Sequence, residues 1–354
     1  MVTDVYERLQ KHLDRLPIGF PRSKSGVELE ILHKLFTPEE AEIACALDVR
    51  PEKPESIAER LGMDPAKLKG KLMEMSKKGL VFRRRVNDEI MFSGAPFVVG
   101  IYEYQVKRMD KDLAVKKQRY LQEAFYQELH RGEGTSPFLR VIPLTRSIKA
   151  DLGIQPYEEA RQLVRNQEVI SVTDCICRVK ARLLGHPCEK PIETCFAFGA
   201  GAQFYIENGW GRRVSVEEAL SILDTCEEAG LVLSPSNSKQ PVAMCACCSC
   251  CCDLLKSLKR FKRPAIVARS AFFSYVDSSL CEACETCVER CPMEAVQLQN
   301  SSAHVDIDRC IGCGVCVSTC PTGAMSLKRR ENAESPPERI GHLFKKMAIE
   351  RGKA

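Results

Sequence analysis

The chain has 354 residues, enough for two or three domains, and 44% of them are hydrophobic, which is ample for globular cores. Its 52 basic and 47 acidic residues give a net charge of +5, too weak a balance to argue for nucleic-acid binding by itself. No apolar run approaches the roughly 18 residues needed to span a bilayer, and Met1 to Asp4 lacks the start of a signal peptide. We therefore expect a cytoplasmic protein whose 20 cysteines indicate metal binding rather than a disulfide framework.

Residues 1–95 predict a helical module that ends in a hairpin. The expected helices cover residues 27–36, 38–47, 54–62 and 65–78. Thr37-Pro38-Glu39-Glu40 is a capping box with proline at the first helical position, and Gly62 and Gly79 are typical helix ends. Strands at 80–86 and 89–92 are expected to join through Asn87-Asp88.

This order of helices and strands resembles a winged helix-turn-helix domain. The resemblance implies DNA binding, docking to another protein or packing within the chain. Glu74, the acidic second helix and the modest net charge favour docking over DNA. The basic residues that would form the DNA face are Lys67, Lys69, Lys71, Lys77 and Lys78 on the helix and Arg83, Arg84 and Arg85 on the wing.

Residues 96–135 predict a linker helix. A charged helical stretch is expected over residues 101–130, ending near Gly132-Glu133-Gly134-Thr135. Its function would be that of a linker or of a contact in a homo-oligomer. Its apolar positions are Val106, Met109, Leu113, Leu121 and Phe125.

Residues 136–265 predict a cysteine-rich α+β domain. Strands are expected at 138–144 and 168–174, with a helix at 157–166 between them. The glycines from Phe198 to Ala202 lack the strand, GxGxxG and helix pattern of a dinucleotide site. Cys226, on the apolar face of a helix capped by Ser215, and Cys45, in the second predicted helix, are expected to be core residues.

No packing requirement explains the other cysteines of this domain, so we expect them to hold one or two additional iron–sulfur centres, with zinc or redox-active dithiols as less favoured alternatives. The preferred partition places the four upstream thiols around one centre and draws another from the downstream run. A centre shared between the two groups is the alternative. His186, beside Cys188, is expected to be polar surface rather than a ligand. The ten cysteines are Cys175, Cys177, Cys188 and Cys195 upstream and Cys245, Cys247, Cys248, Cys250, Cys251 and Cys252 downstream.

Residues 266–330 contain two cysteine runs with the spacing that holds [4Fe-4S] clusters, C-x2-C-x2-C-x3-C-P. Three cysteines of one run can wrap one cluster, while the fourth lies too far round and ligates the other. Zinc sites close with four ligands and fit this pattern poorly. The spacing therefore assigns Cys281, Cys284, Cys287 and Cys320 to the first cluster, and Cys310, Cys313, Cys316 and Cys291 to the second.

This region resembles the bacterial two-cluster ferredoxins. Tyr275-Val276-Asp277 before the first run is echoed by His304-Val305-Asp306 before the second. The resemblance implies a pseudo-twofold ferredoxin fold with short strand pairs flanking two [4Fe-4S] clusters. The halves differ, because the second loop has Gly312 and Gly314 where the first has Ala283 and Glu285.

Residues 331–354 predict a basic tail with an amphipathic helix near 340–349, which we expect to be solvated. The whole chain resembles multidomain iron–sulfur proteins of anaerobic bacteria and archaea, a resemblance that carries no settled function. We expect an electron-transfer protein, or the electron-transferring subunit of an anaerobic oxidoreductase, that exchanges electrons with a redox partner. A redox-sensing regulator that binds DNA and a reductive activation factor for a partner metalloenzyme are the alternatives.

Overall fold

The computed structural model describes residues 4–129 and 134–353, and it is a mixed fold of helices and small sheets, consistent with the α+β class. The first three residues and the expected helix end at residues 130–133 lie outside the described residues. Within the described part of the chain, no helix is both long enough and apolar enough to cross a membrane.

The N-terminal helices follow the predicted caps. Thr37 accepts a hydrogen bond from the Glu40 backbone N–H at 3.3 Å, and Glu40 accepts one from the Thr37 N–H at 2.9 Å, which completes the capping box. Gly62 ends its helix in the left-handed region with φ 64°. The first helix, which Asp4 caps, was not predicted. The five helices are α1 (Val5–Arg15), α2 (Val27–Leu35), α3 (Pro38–Ala44), α4 (Pro54–Leu61) and α5 (Pro65–Lys77).

Strands β1 (Phe82–Val86) and β2 (Glu89–Ser93) form the expected antiparallel hairpin. Asn87 and Asp88 both have positive φ, as a two-residue hairpin turn requires. The side chain of Arg83 is buried and donates to Glu207 at 2.9 Å, so the hairpin is joined to the middle of the chain.

Ion pairs neutralise part of the basic surface that would face DNA. Lys71 lies 2.9 Å from Glu39, and Lys78 lies 2.6 Å from Glu40. The winged-helix and DNA interpretations stay predictions.

The single helix expected over residues 101–130 is wrong. A tight turn at Glu103–Gln105 is followed by α6 (Lys111–Tyr120), a wider π-helical turn at Leu121–Phe125, and α7 (Tyr126–Leu129). Asp110 starts α6 anew by accepting a hydrogen bond from the Leu113 N–H at 2.8 Å. The segment packs in the interior against α2 and against a later helix, instead of forming an exposed linker.

A five-stranded antiparallel sheet forms the centre of the molecule. Its strands are β3 (Ile170–Asp174), β4 (Glu193–Phe198), β5 (Arg212–Val214), β6 (Val232–Pro235) and β7 (Ala243–Cys247). They lie side by side in the order β5-β3-β4-β7-β6. The strand expected at 138–144 is wrong, because only Leu139 and Ile142 make isolated bridges to the sheet. The accompanying helices are α8 (Ala160–Arg165), α9 (Ile176–Leu183), α10 (Gly199–Glu207), α11 (Val216–Glu228), α12 (Asp253–Leu258) and α13 (Pro264–Ala268).

Two small antiparallel sheets flank the paired cysteine runs. β8 (Phe272–Val276) precedes the first run and pairs with β11 (Met325–Arg329), which follows the second. β9 (Val296–Gln299) and β10 (Ser302–Val305) pair between the runs. The short helix α14 (Thr286–Arg290) ends the first cysteine loop.

The C-terminal segment forms the expected helix, α15 (Ile340–Glu350), but the expectation of a solvated tail is wrong. Leu343 and Met347 are buried in the core of the N-terminal helices. Glu350 also accepts a hydrogen bond from the Ser136 N–H at 2.6 Å. The apolar face of the helix is therefore covered within the chain.

Candidate metal centres

Each paired cysteine run contributes three thiols to one cavity and its fourth thiol to the other. Cys281, Cys284, Cys287 and Cys320, the outer set, line one cavity. Cys310, Cys313, Cys316 and Cys291, the inner set, line a second. The structure thus brings together the groups of four that the spacing assigns, while metal ligation by them stays a prediction.

Hydrogen bonds are directed at sulfur in both sets. Backbone N–H groups of Ala303 and Ala295 donate to Cys281 and Cys291 at 3.4 and 3.2 Å. In the inner set, Ser274 donates its N–H to Cys310 at 3.3 Å, and its hydroxyl lies 3.2 Å from the sulfur of Cys316. Such donors stabilise negative charge on sulfur, which fits thiolates bound to a cluster.

Hydrogen bonds and burial shift the pKa values of individual thiols in opposite directions. The Ala303 N–H lowers the pKa of the Cys281 thiol, where hydrogen bonding outweighs burial. Burial raises the pKa of Cys316 to about 12 and raises that of Cys313 as well. Burial therefore disfavours the thiolate forms of Cys313 and Cys316.

The cysteine loops share one backbone conformation in spite of their different residues. Gly312 and Gly314 have φ of 64° and 74° in the second loop, and Ala283 and Glu285 have φ of 55° and 61° in the first. A β-carbon on Gly312 would lie 2.1 Å from the carbonyl oxygen of Phe272. The second loop needs glycine for space, whereas the first accepts side chains in the left-handed region.

The inner set lies against the middle of the molecule, and the outer set lies at the surface. Cys284 is exposed, while Cys310 and Cys313 are buried in one core with Cys247 and Cys252 of the middle region. The Leu144 N–H also donates to the carbonyl oxygen of Cys313 at 3.0 Å. The inner set is therefore the part of the paired runs that adjoins the middle cysteines.

Four of the middle cysteines converge on one point. The sulfur atoms of Cys188, Cys248, Cys250 and Cys251, the four-thiol set, all lie within 4.8 Å of one another. Cys188 comes from the loop after α9, and the other three come from the turn between β7 and α12. Burial by itself would raise the pKa of Cys188. Hydrogen bonds from the Lys190 N–H and from the neighbouring thiols outweigh burial, so that this pKa is lowered.

The other six middle cysteines form a connected group, the six-thiol set. Sulfur contacts run in the order Cys175, Cys177, Cys252, Cys247, Cys245 and Cys195. Pairing of β4 with β7 places Cys195 opposite Cys245, and Cys247 lies on the same face of β7 as Cys245. Hydrogen bonds from Cys175 and Cys252 lower the pKa of Cys177.

Buried charged side chains adjoin the six-thiol set. The ammonium of Lys180 contacts the carboxylate of Asp253, and that of Lys117 lies 4.0 Å from it, so two buried cations share one buried anion. Burial lowers the pKa of Lys117 to about 8, and the Asp253 charge counteracts the shift. An anionic group at the six-thiol set would balance the second cation. Sequence reasoning missed these lysines, although Lys180 lies three residues after Cys177 on α9.

This grouping mixes the upstream and downstream cysteines. Cys188 joins the downstream run instead of Cys175, Cys177 and Cys195, so the preferred partition is wrong and the shared arrangement describes the geometry. Cys226 is fully buried, as expected for a core residue, and Cys45 is half-buried against the N-terminal core. His186 is exposed and lies outside the four-thiol set.

Comparison with known proteins identifies one part of the chain. Residues 273–321 match the family model of the 4Fe-4S dicluster domain. No curated protein and no solved structure matches the chain. An iron–sulfur, ferredoxin-like domain therefore lies near the C-terminus, and together with the other cysteines it indicates an iron–sulfur electron-transfer role.

Proposed function

We propose that the chain is a cytoplasmic electron-transfer protein of an anaerobic oxidoreductase system, with one [4Fe-4S] cluster at the outer set, one at the inner set and a further iron–sulfur centre at the six-thiol set. The observation that carries the proposal is the crossed arrangement, in which Cys320 completes the outer cavity and Cys291 completes the inner one. Such clusters, when bound, supply reversible one-electron transfer.

The side chains and backbone of the protein tune these sites. Ser274, Ala295 and Ala303 donate hydrogen bonds to the sulfurs, which favours negative charge there. The shared core around Cys310 and Cys313 keeps water from the inner set. Hydrogen bonds to sulfur and the exclusion of water are both means by which a protein sets the reduction potential of a cluster without a change of ligand.

The difference in exposure gives the sites an order. The outer set has Cys284 at the surface, where a redox partner can approach, and the inner set lies between it and the middle cysteines. Glu282, Glu285 and Glu289 are exposed around the outer loop, so a partner with a basic docking face is favoured. Single electrons would pass between this surface and the six-thiol set.

The buried lysines support an anionic centre at the six-thiol set. Among the described side chains, Asp253 has the carboxylate within 4.0 Å of both Lys117 and Lys180, while the Glu103 carboxyl group interacts with Lys117 from farther away. A cluster held by thiolates carries net negative charge, and its binding would compensate the second ammonium. Six sulfurs in a connected row also suit a polynuclear centre better than a single ion.

The test is anaerobic purification of the full chain, with iron and sulfide quantified and an EPR redox titration. We expect about four irons for each cluster, or about twelve per chain if the six-thiol set holds a cube. Cys284→Ser and Cys313→Ser should each remove or alter one EPR signal, the outer and the inner in turn. About eight irons would refute the third centre, and loss of both signals in either variant would refute two separate clusters.

A further inference from the structure

The four-thiol set is much tighter than a cluster site. The sulfurs of Cys250 and Cys251 are 3.8 Å apart, and all four sulfurs lie within 4.8 Å of one another. A metal ion bound tetrahedrally by thiolates at about 2.3 Å holds those sulfurs about 3.8 Å apart. The Cys250–Cys251 separation therefore equals the edge of a tetrahedron around one ion, and the other pairs lie within 1 Å above it or closer.

A [4Fe-4S] cube needs its thiolates farther apart, because each ends a bond that points outward from a different iron. The same chain provides an internal comparison. The outer and inner sets line open cavities, yet among the described residues only the four-thiol set has three or more ligand atoms mutually within 4.8 Å. This close spacing distinguishes the four-thiol set from the outer and inner sets and suits a single ion.

We propose that Cys188, Cys248, Cys250 and Cys251 bind one zinc ion in a closed tetrahedral site. Four thiolates are a typical structural zinc ligand set, and tetrahedral sulfur coordination selects zinc or iron. Zinc is preferred because Cys250 is exposed and the ion keeps one charge state when neighbouring centres gain or lose electrons. The proposal goes beyond electron transfer and does not depend on it.

A buried arginine supplies the charge that such a site requires. Four thiolates around Zn²⁺ leave a net charge of about −2. Arg178 is buried beside Cys248, which interacts with its guanidinium, and its Nε atom has no hydrogen-bond partner among the described residues. Its other nitrogens donate to Thr194 at 2.6 Å and to the Ala246 carbonyl at 3.0 Å. The guanidinium is thus fixed between the four-thiol and six-thiol sets.

The zinc site would have a structural role for its neighbours. It joins the loop at Cys188 to the turn that carries Cys248 to Cys251, about 60 residues later. Cys247 and Cys252 flank that turn and belong to the six-thiol set. Fixing the turn therefore positions two thiols of the adjoining redox centre.

The experiment is metal analysis of the full-length, anaerobically purified protein, with zinc K-edge X-ray absorption. We expect about one zinc per chain with four sulfur neighbours at about 2.3 Å. Cys250→Ser should lose the zinc and keep the EPR signals of the outer and inner sets. Cys45→Ser, which alters a half-buried thiol away from every set, is the matched control and should keep zinc and iron.

Three outcomes would overturn the proposal: wild-type protein without zinc, zinc with nitrogen or oxygen neighbours, or a Cys250→Ser variant that loses iron in place of zinc. X-ray absorption of the wild type decides the ligand set even if the variant fails to fold. Absence of iron–sulfur signals in a zinc-loaded protein would instead refute the proposed electron transfer and leave the zinc site standing.

Discussion

Replacement of Gly312 by alanine tests how closely the second cysteine loop approaches the protein backbone. Gly312 has φ 64°, and an added β-carbon would lie 2.1 Å from the Phe272 carbonyl oxygen and 2.4 Å from the Ser270 hydroxyl. Gly323 provides a matched control, because its φ is 71° and nothing lies within 4 Å of the corresponding position. Both variants share the left-handed backbone, and only one has a steric conflict.

The left-handed conformation costs an alanine about 1–2 kcal/mol, which both variants should lose in free energy of unfolding. Overpacking against fixed backbone adds about 1–3 kcal/mol at Gly312 alone. Gly312→Ala should therefore destabilise clearly more than Gly323→Ala. The conflict is with β8, so relief would move Ser274 away from Cys310 and Cys316.

The assay is anaerobic urea denaturation of the metal-loaded protein, followed by iron–sulfur absorbance, with EPR of the reduced state. We expect the midpoint to fall further for Gly312→Ala than for Gly323→Ala, and the signal of the inner set to weaken before that of the outer set. Equal midpoints, or an unchanged signal from the inner set, would refute the close approach at Gly312.

Three further changes test other parts of the structure. Lys117→Met removes a buried cation beside the six-thiol set, so the reduction potential of that centre should fall by roughly 60 mV for each ~1.4 kcal/mol of lost attraction. An EPR titration measures the potential, and the control Lys116→Met, which removes an ammonium that contacts Asp112, should leave the potential unchanged. Arg83→Met should lower the free energy of unfolding in urea by about 1.5–3 kcal/mol, because it removes charged hydrogen bonds between the hairpin and α10. The Arg85 side chain is 60% exposed, so the control Arg85→Met should lower it by only about 0–1 kcal/mol. Equal effects of the two variants would contradict the docking of the hairpin on α10. Burial lowers the pKa of His12 in the folded protein, so the unfolded chain takes up a proton first as pH falls below about 6.5. The contribution of His12 to stability should be full above that pH and should decline as pH falls toward the lower pKa of the folded state. Denaturation measured across this pH range should show a smaller decline for His12→Gln.

Local signals were sufficient for the N-terminal elements that follow α1. The capping box at Thr37, the glycine at residue 62 and the Asn87-Asp88 turn each act within a few residues, so their sequence determines their conformation. The cysteine spacing within each run is a local signal of the same kind. That spacing also predicted which cavity the fourth thiol of each run lines.

Predictions failed where neighbours decide the conformation. The apolar spacing over residues 101–130 fits a helix, but Asp110 caps a new one and the preceding turn packs inside. Residues 138–144 have the composition of a strand, yet they make only two isolated bridges along the sheet. A strand forms only when a partner is placed to pair with it.

The sequence by itself predicted metal-binding thiols and determined how the eight thiols of the two cysteine runs divide into two groups of four, because spacing within a short loop sets reach. Only the tertiary structure divided the other ten into four and six. The register of β4 against β7 brings Cys195 to Cys245, and the following turn carries Cys248 to Cys188. Register depends on the burial of a whole sheet face, which no local spacing records.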